Sequence, residues 1–334
     1  MGTSIQVETP ACPVCGGETY EPLIKRGRDL VWRKPGQFQV ARCTQCKLVA
    51  TRPRPTASSI GFYYDNTYSG DTQDGMKSFQ TESWIGRLIS RYRLSVMNRV
   101  RPLTTNDHCL DIGCSYGGFL EYIRQKTGCK TSGIDADHGS IQNALGAEYT
   151  DYRVGFIETE NYPTEHFSVV TFFESLEHHM NPVTALQKAH SILKPGGICV
   201  VEVPNYNGLW RRIFGRFWLP LLLPQHLYHF TPTTLRQVAE AAGFKTIRRQ
   251  QTMFYPLEGV ASLGLALGSL LRSPPPGAPV TWRTPLDLAI FLILVALYPL
   301  FEVPSQVILR VLGLSGHQIL IAEKTAATTS EPTS

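Results

Sequence analysis

The run Glu174-Ser175-Leu176-Glu177-His178-His179-Met180-Asn181-Pro182 places two carboxylates and two imidazoles directly behind Val169-Val170-Thr171-Phe172-Phe173. That apolar stretch reads as a buried strand. Groups that end such a strand lie at its carboxyl edge, where open α/β sheets form their ligand crevice. Residues three or four apart on a helical turn share a face, so Glu174, Glu177 and His178 can converge on one cation. A further imidazole is available from His226 or His229, ahead of a helix expected over Thr233–Ala242. The carboxylates suit Mg2+, and the imidazoles also accept Mn2+ or Zn2+. Two plainer readings stay open: acid–base chemistry without a metal, or capping of the following helix.

A second set of ligands sits near the start. Cys12-Pro13-Val14-Cys15 and Cys43-Thr44-Gln45-Cys46 are two CxxC pairs, the first followed by Gly16-Gly17. Each pair closes a tight turn that aims two thiolates at one ion, and four soft ligands in a tetrahedron suit zinc. No position is left open, so the expected role is structural. Phe38-Gln39-Val40-Ala41 alternates like a hairpin strand between the pairs. The surroundings lack the βαβ pattern of a thioredoxin-like redox CxxC.

The elements that must position these groups follow from 334 residues, 43% of them hydrophobic and 18% charged. That is a globular composition, long enough for one large domain and a small module. A net charge of +5 allows contact with an anionic membrane or acidic substrate without requiring nucleic acid. Met1–Pro10 lacks the charged start and apolar core of a secretory signal, which gives the expectation of a cytoplasmic protein with reduced thiols. Residues 1–50 read as a zinc-ribbon module and 51–81 as a linker carrying the aromatic cluster Phe62, Tyr63, Tyr64 and Tyr68. Residues 82–324 read as the main domain, and 325–334 as a disordered tail.

In the main domain, Ile85, Leu88, Ile89, Tyr92 and Val96 follow helical spacing, and Pro102 ends that helix. The strand Cys109-Leu110-Asp111-Ile112 then enters the loop Gly113-Cys114-Ser115-Tyr116-Gly117-Gly118, and a helix follows. Glycines there let a backbone approach a ligand at a helix N-terminus that favours anionic groups. A second strand, Lys130 to Ile134, ends in Asp135, where an acid can hold ribose hydroxyls.

Asp111-Ile112-Gly113-Cys114-Ser115-Tyr116-Gly117 resembles the first motif of class I S-adenosylmethionine-dependent methyltransferases. His166 to Val170, Leu193-Lys194-Pro195-Gly196-Gly197 and Ala241-Ala242-Gly243-Phe244 resemble later motifs in the same order. Ser168 departs from the family, which usually has Asp there. The resemblance covers about 84–260 and 317–324. It implies a seven-stranded, doubly wound Rossmann-like α/β sheet that binds S-adenosylmethionine. Asp111, Gly113, Cys114 and Gly117 would hold the methionine end. Asp135, with Ala136 beside it, would take the ribose, the adenine would lie near Val154, Gly155, Phe156 and Ile157, and Phe173 would also bind the cofactor.

The Glu-x-x-Glu-His run with a distant His resembles two methyltransferase groups, the ubiquinone-pathway O-methyltransferases and the small-RNA 3′-end 2′-O-methyltransferases. In both, the motif implies a divalent cation touching the acceptor oxygens, and the resemblance places His226 as the fourth ligand. Asn205, after the fifth strand, is a further cleft candidate.

Two apolar stretches, Gly259–Leu271 and Leu288–Phe301, lie between the last two strands in a helical insertion over 255–316. Each is shorter than the roughly 20 residues that a span requires. With Leu209–Leu227, rich in Arg, Trp and Phe, they favour peripheral contact with the inner face of the membrane. A buried cap or an oligomer interface is the alternative. Together these features point to O-methylation of an apolar or lipid-linked acceptor. Competing readings are a sugar C- or O-methyltransferase, since some deoxysugar enzymes carry a similar four-cysteine module, an RNA methyltransferase, which the few scattered basic residues support poorly, and a non-catalytic scaffold.

Overall fold

The computed structural model describes residues 5–64, 83–253, 258–271 and 308–325, with isolated helical positions at 289, 293 and 296. Tyr68, most of the second apolar stretch and the tail from 326 lie outside the described residues.

The amino-terminal part holds β1 (Val7–Glu8), β2 (Tyr20–Gly27), β3 (Phe38–Cys43), β4 (Val49–Arg52) and β5 (Arg54–Pro55). Then come α1 (Trp84–Asn98), β6 (His108–Ile112), α2 (Gly118–Thr127), β7 (Lys130–Asp135), α3 (His138–Gln142) and β8 (Thr150–Val154). They are followed by β9 (Phe167–Phe173), α4 (Pro182–Ile192), β10 (Leu193–Pro204), α5 (Leu209–Phe214) and β11 (Tyr228–His229). Last are α6 (Pro232–Ala241), β12 (Thr246–Met253), α7 (Glu258–Leu271) and β13 (His317–Glu323).

The seven-stranded sheet runs β12-β13-β10-β9-β6-β7-β8. β13 pairs antiparallel with β10 and β12, and the remaining ladders are parallel. All seven residues of β9 are buried, as expected for a central strand covered on both faces. Strand order reverses between β6 and β9, which makes a crevice at their carboxyl ends. The glycine loop leaves β6 at that edge and Glu174 leaves β9 there.

Helix starts follow local chemistry. Ser83 accepts from Gly86 N to cap α1, and Asn181 accepts from Val183 N and Thr184 N to cap α4, with Pro182 in the first turn. Thr231 and Thr234 form a reciprocal capping box at α6. Glu174, Glu177 and His178 were expected on the first turn of a helix. They lie instead on the loop before α4, where Leu176–His178 form one 3-10 turn. Asn181 alone does the capping.

Residues 51–64, read as the start of a linker, carry structure. β4 belongs to a four-stranded sheet ordered β11-β4-β3-β2, so it joins the cysteine module to the main domain. β5 pairs with β1, and a 3-10 turn spans Ile60–Tyr63. Tyr63 is buried and donates its hydroxyl to Pro35 O.

The first apolar stretch forms α7, which packs on the Leu209–Leu221 region. A Cβ on Gly259 would lie 2.8 Å from the Trp210 ring, and Ser262 Oγ accepts from Leu219 N at 3.0 Å. Trp218, expected at a membrane interface, is buried, with its Nε1 donating to Glu258 Oε1 at 2.6 Å. Among the described residues no helix is long and apolar enough to cross a membrane.

Candidate functional site

The 3-10 turn behind β9 brings Glu177 and His178 against His226, and their ligand atoms all lie within 4.8 Å of one another. Glu177 is 1% exposed, and neither of its carboxylate oxygens has a hydrogen-bond partner among the described residues. Burial, then the neighbouring Glu174 charge, pushes this carboxyl well above the usual range. Burial holds His178 down to about 4 and His226 well below its ordinary value, so both imidazoles are neutral near pH 7. His226 Nδ1 lies 2.8 Å from Pro220 O, and His178 Nδ1 lies 3.1 Å from Gln225 O. With the protons on Nδ1 these rings donate to the carbonyls and leave each Nε2 as a lone pair. His226 Nε2 lies 3.9 Å from Glu177 Oε1. A buried carboxylate without donors beside two neutral imidazoles is a donor set that fits a divalent cation.

Glu174 does not join this trio. It ends β9 at φ 54°, and its Oε2 lies 3.1 Å from His317 Nε2 on β13. His179 faces Glu158, 2.7 Å away, and His229 faces Thr51. Asn205 is fully buried, bonded to Ser315 O and Asn207 N, and so forms a turn rather than a cleft wall.

The glycine loop adjoins the trio's loop, since a Cβ on Gly113 (φ 78°) would lie 2.4 Å from Ser175 Oγ. At Gly117 (φ 73°) a Cβ would lie 1.8 Å from the Tyr152 hydroxyl, so only glycine fits. Asp135 accepts from Ser115 N at 2.8 Å and Asp137 N at 2.9 Å, which ties the loop to the end of β7. Burial raises its carboxyl above the usual range. Asp111 is buried, accepts from Thr171 Oγ1 at 2.6 Å, and is pushed up by that burial to about 7. Ser115 Oγ is buried on the loop with no partner among the described residues, a donor available to a bound polar group. Cys114 is buried and Ala136 is exposed. Phe173 packs edge-on to Phe119 beneath the Arg93 guanidinium. Phe156 and Ile157 point apart: Phe156 is exposed, whereas Ile157, expected beside the adenine, is buried in the main core with Leu110, Ile112 and Phe172.

Away from the crevice, Cys12, Cys15, Cys43 and Cys46 converge. The two knuckles have matching hydrogen bonds: Cys12 N to Gly17 O with Gly16 N to Cys12 O, and Cys43 N to Leu48 O with Lys47 N to Cys43 O. Gly16 and Lys47 take the positive φ that the turns require, 70° and 68°. Sγ–Sγ separations of 3.4 Å (Cys12–Cys46) and 3.6 Å (Cys15–Cys43) are close to the roughly 3.8 Å edge of a tetrahedron with 2.3 Å Zn–S bonds. The donor set fits zinc.

Residues 84–249 match the methyltransferase domain family. Ubiquinone biosynthesis O-methyltransferases are similar over part of the chain. That of Cereibacter sphaeroides is 32% identical over 165 residues, 46% of this chain and 66% of the relative. That of Ruegeria pomeroyi is 31% identical, covering 44% and 64%. The chain carries a class I S-adenosylmethionine-dependent methyltransferase domain. It spans just under two-thirds of the length of these curated relatives. Solved structures agree on the fold. Haemonchus contortus phosphoethanolamine N-methyltransferase 2 gives a TM-score of 0.52 at 16% identity, covering 83% of this chain and 63% of that one. The [4+2]-cyclase SpnF gives 0.51 at 18%, covering 82% and 99%.

Around the site the fold also brings in residues whose place the sequence motifs do not indicate. Tyr64 Oη lies 2.8 Å from His178 Nδ1. His317 lies between Glu174 and Glu258, its Nδ1 3.8 Å from Glu258 Oε2. Arg93 makes a bidentate pair with buried Glu202, at 2.7 and 2.8 Å. A signal existed for the last: Glu202 is a lone charge inside the apolar run Cys199-Val200-Val201-Glu202-Val203, and such a charge needs a partner.

Asp135→Ala loses the tether to Ser115 N on the glycine loop and the bond from Asp137 N. S-adenosylmethionine affinity, measured by calorimetry, is expected to weaken by about 1–3 kcal/mol. Unchanged affinity would remove Asp135 from the cofactor site.

Proposed function

We propose that this protein methylates an oxygen of an apolar or lipid-linked acceptor, with a divalent cation held by Glu177, His178 and His226. The observation that carries this reading is the buried Glu177 carboxylate, without a hydrogen-bond partner among the described residues, beside two neutral imidazoles and next to the glycine loop. The ubiquinone-pathway relatives support an oxygen acceptor attached to an apolar molecule. A cation there supplies charge that lowers the pKa of an acceptor hydroxyl. Gly113, Gly117 and Asp135 hold the methyl donor at the crevice. The O–CH3 bond forms as the S–CH3 bond breaks, and the sulfonium leaves as a neutral thioether. Glu174 is placed to take the hydroxyl proton. Its side chain is one-quarter exposed, His317 holds its Oε2, and burial raises its carboxyl above the usual range. The four-cysteine site holds structural zinc.

Membrane contact is part of the same proposal. Leu209 N donates to Leu314 O, which places the 308–314 segment beside α5. Ile213, Ile308, Val311 and Leu312 are exposed there, alongside the exposed Arg212, Arg216 and Arg310. Apolar side chains among arginines suit an anionic lipid surface. This would seat the protein peripherally on the inner face of a membrane.

The test is methyl transfer from methyl-labelled S-adenosylmethionine to a lipid extract, a nucleotide-sugar pool and RNA, each with Mg2+ and with chelator. Label in lipid that is lost with chelator is expected. Label in the sugar pool regardless of chelator would replace this reading with a sugar methyltransferase.

A further inference from the structure

The four-cysteine module reaches both sides of the Glu177–His178–His226 cluster. Only Lys47 and Leu48 separate Cys46 from β4, and β4 pairs antiparallel with β11, Ala50 opposite Tyr228 and Val49 opposite His229. Thr51, fully buried, donates its hydroxyl to His226 O at 2.7 Å, and its N–H donates to Leu227 O at 2.9 Å. A little further on, Tyr63 O accepts from Gln225 Nε2 at 2.7 Å. So the segment that carries His226 hangs on the chain leaving the module.

The other side is held by the same chain. Arg54 donates to Met180 O at 2.7 Å and to the Tyr228 hydroxyl at 3.0 Å, bridging the two histidine segments. Tyr64 Oη meets His178 Nδ1, and the two histidine rings lie edge to face at 4.6 Å. Cys12, Cys43, Leu48 and Ala50 share one core cluster with Leu176, Leu227, Tyr228 and Phe230. The module and the histidine segments therefore pack as one body.

We infer that the four-cysteine module is a positioning element for the cation site, in which Thr51 and Tyr64 fix the spacing and ring orientation of His226 and His178. This rests on the cation reading proposed above. A cation site tolerates little error in ligand placement, and groups that orient ligating imidazoles are worth roughly 10–100-fold in metal affinity. Thr51 sets the backbone under His226. Tyr64 sets which way the His178 ring turns. Thr51 lies on the strand that leaves Cys46, and Tyr64 follows on the same chain beyond β5 and the 3-10 turn, so an ion in the tetrathiolate site stiffens the frame from which they act.

The experiment uses the full chain and Mn2+ alone, with binding followed by electron paramagnetic resonance. Tyr64→Phe and Thr51→Val are each expected to weaken Mn2+ binding about 10–100-fold. Thr51→Ser, which keeps the hydroxyl, should restore it, and S-adenosylmethionine affinity should stay at the wild-type value in all three. Zinc extraction with a thiol-directed mercurial should weaken Mn2+ binding in the same direction. Wild-type Mn2+ affinity in folded Tyr64→Phe and Thr51→Val would overturn the positioning role while leaving the cation site standing. A wild-type protein that binds no Mn2+ would overturn both.

Discussion

Glu177→Gln is expected to remove metal-stimulated methyl transfer and to leave the metal-free protein more stable. The two effects have one cause. Glu177 is almost fully buried and neither oxygen has a hydrogen-bond partner among the described residues, so in the absence of a cation its desolvation cost is poorly compensated. Burial, then the Glu174 charge, pushes its pKa well above the usual range, and a bound cation would offset that cost. A neutral amide of the same shape relieves that cost, by about 1–3 kcal/mol. The same change deletes the only carboxylate in the cluster, and Mn2+ affinity should fall by at least about 100-fold, beyond the range of a merely orienting group. Stability rising while function falls is the mark of a site shaped for a ligand rather than for the fold. Chemical denaturation in chelator and Mn2+ titration check the two halves. If Glu177 only organised its turn, glutamine would lower stability and leave Mn2+ binding untouched.

The sheet was legible because its signals are local. An alternating or wholly apolar run, a glycine loop and a terminal acid each sit within a few residues, and β6, β7, β9 and β13 follow from them. The two CxxC pairs were equally plain, since ligand type and spacing are both in the sequence. What was not legible depends on contacts between distant segments. Nothing near Thr51 or Tyr64 in the chain says that the residues meet 226 and 178; a stretch rich in turn formers looked like a linker because its partners lie over a hundred residues away. The grouping of Glu174 with Glu177 failed for a related reason. Helical spacing would put them on one face, but Glu174 takes a left-handed conformation and its side chain meets His317 on β13. The apolar run at 259–271 suggests a lipid contact, yet Glu258, the residue before it that opens α7, is buried in the protein. A carboxylate at the head of an apolar helix, and a histidine opening an apolar last strand, were the two signals that could have shown this.

His317→Leu is expected to cost about 3–5 kcal/mol, the range for removing one partner from a buried charge pair. His317 is 1% exposed and lies between Glu174 Oε2 and Glu258 Oε2, and a Cβ on neighbouring Gly316 would overlap the Glu258 carboxyl. Burial alone would lower the imidazole pKa, but the Glu174 charge and hydrogen bond, then those of Glu258, outweigh it and hold it near 10. His317 is therefore a buried imidazolium shared by the acceptor side of the crevice and the first residue of α7. The linkage has a definite sign. The folded pKa lies above the ordinary value of about 6.5, so the folded state binds the proton more tightly than the unfolded chain. The stabilisation is complete below about pH 6.5 and is lost as pH rises toward about 10. Wild-type protein should thus lose denaturant resistance between pH 7 and 10, and His317→Leu should lack that slope. Adding Glu258→Gln to His317→Leu should recover part of the loss, because one of the two orphaned charges is gone. A wild-type stability flat across this window would mean that His317 is neutral and that Glu174 carries its own proton. The base assigned to the acceptor hydroxyl would then have to be sought elsewhere in the crevice, so this titration bears on the proposed chemistry as directly as on the fold.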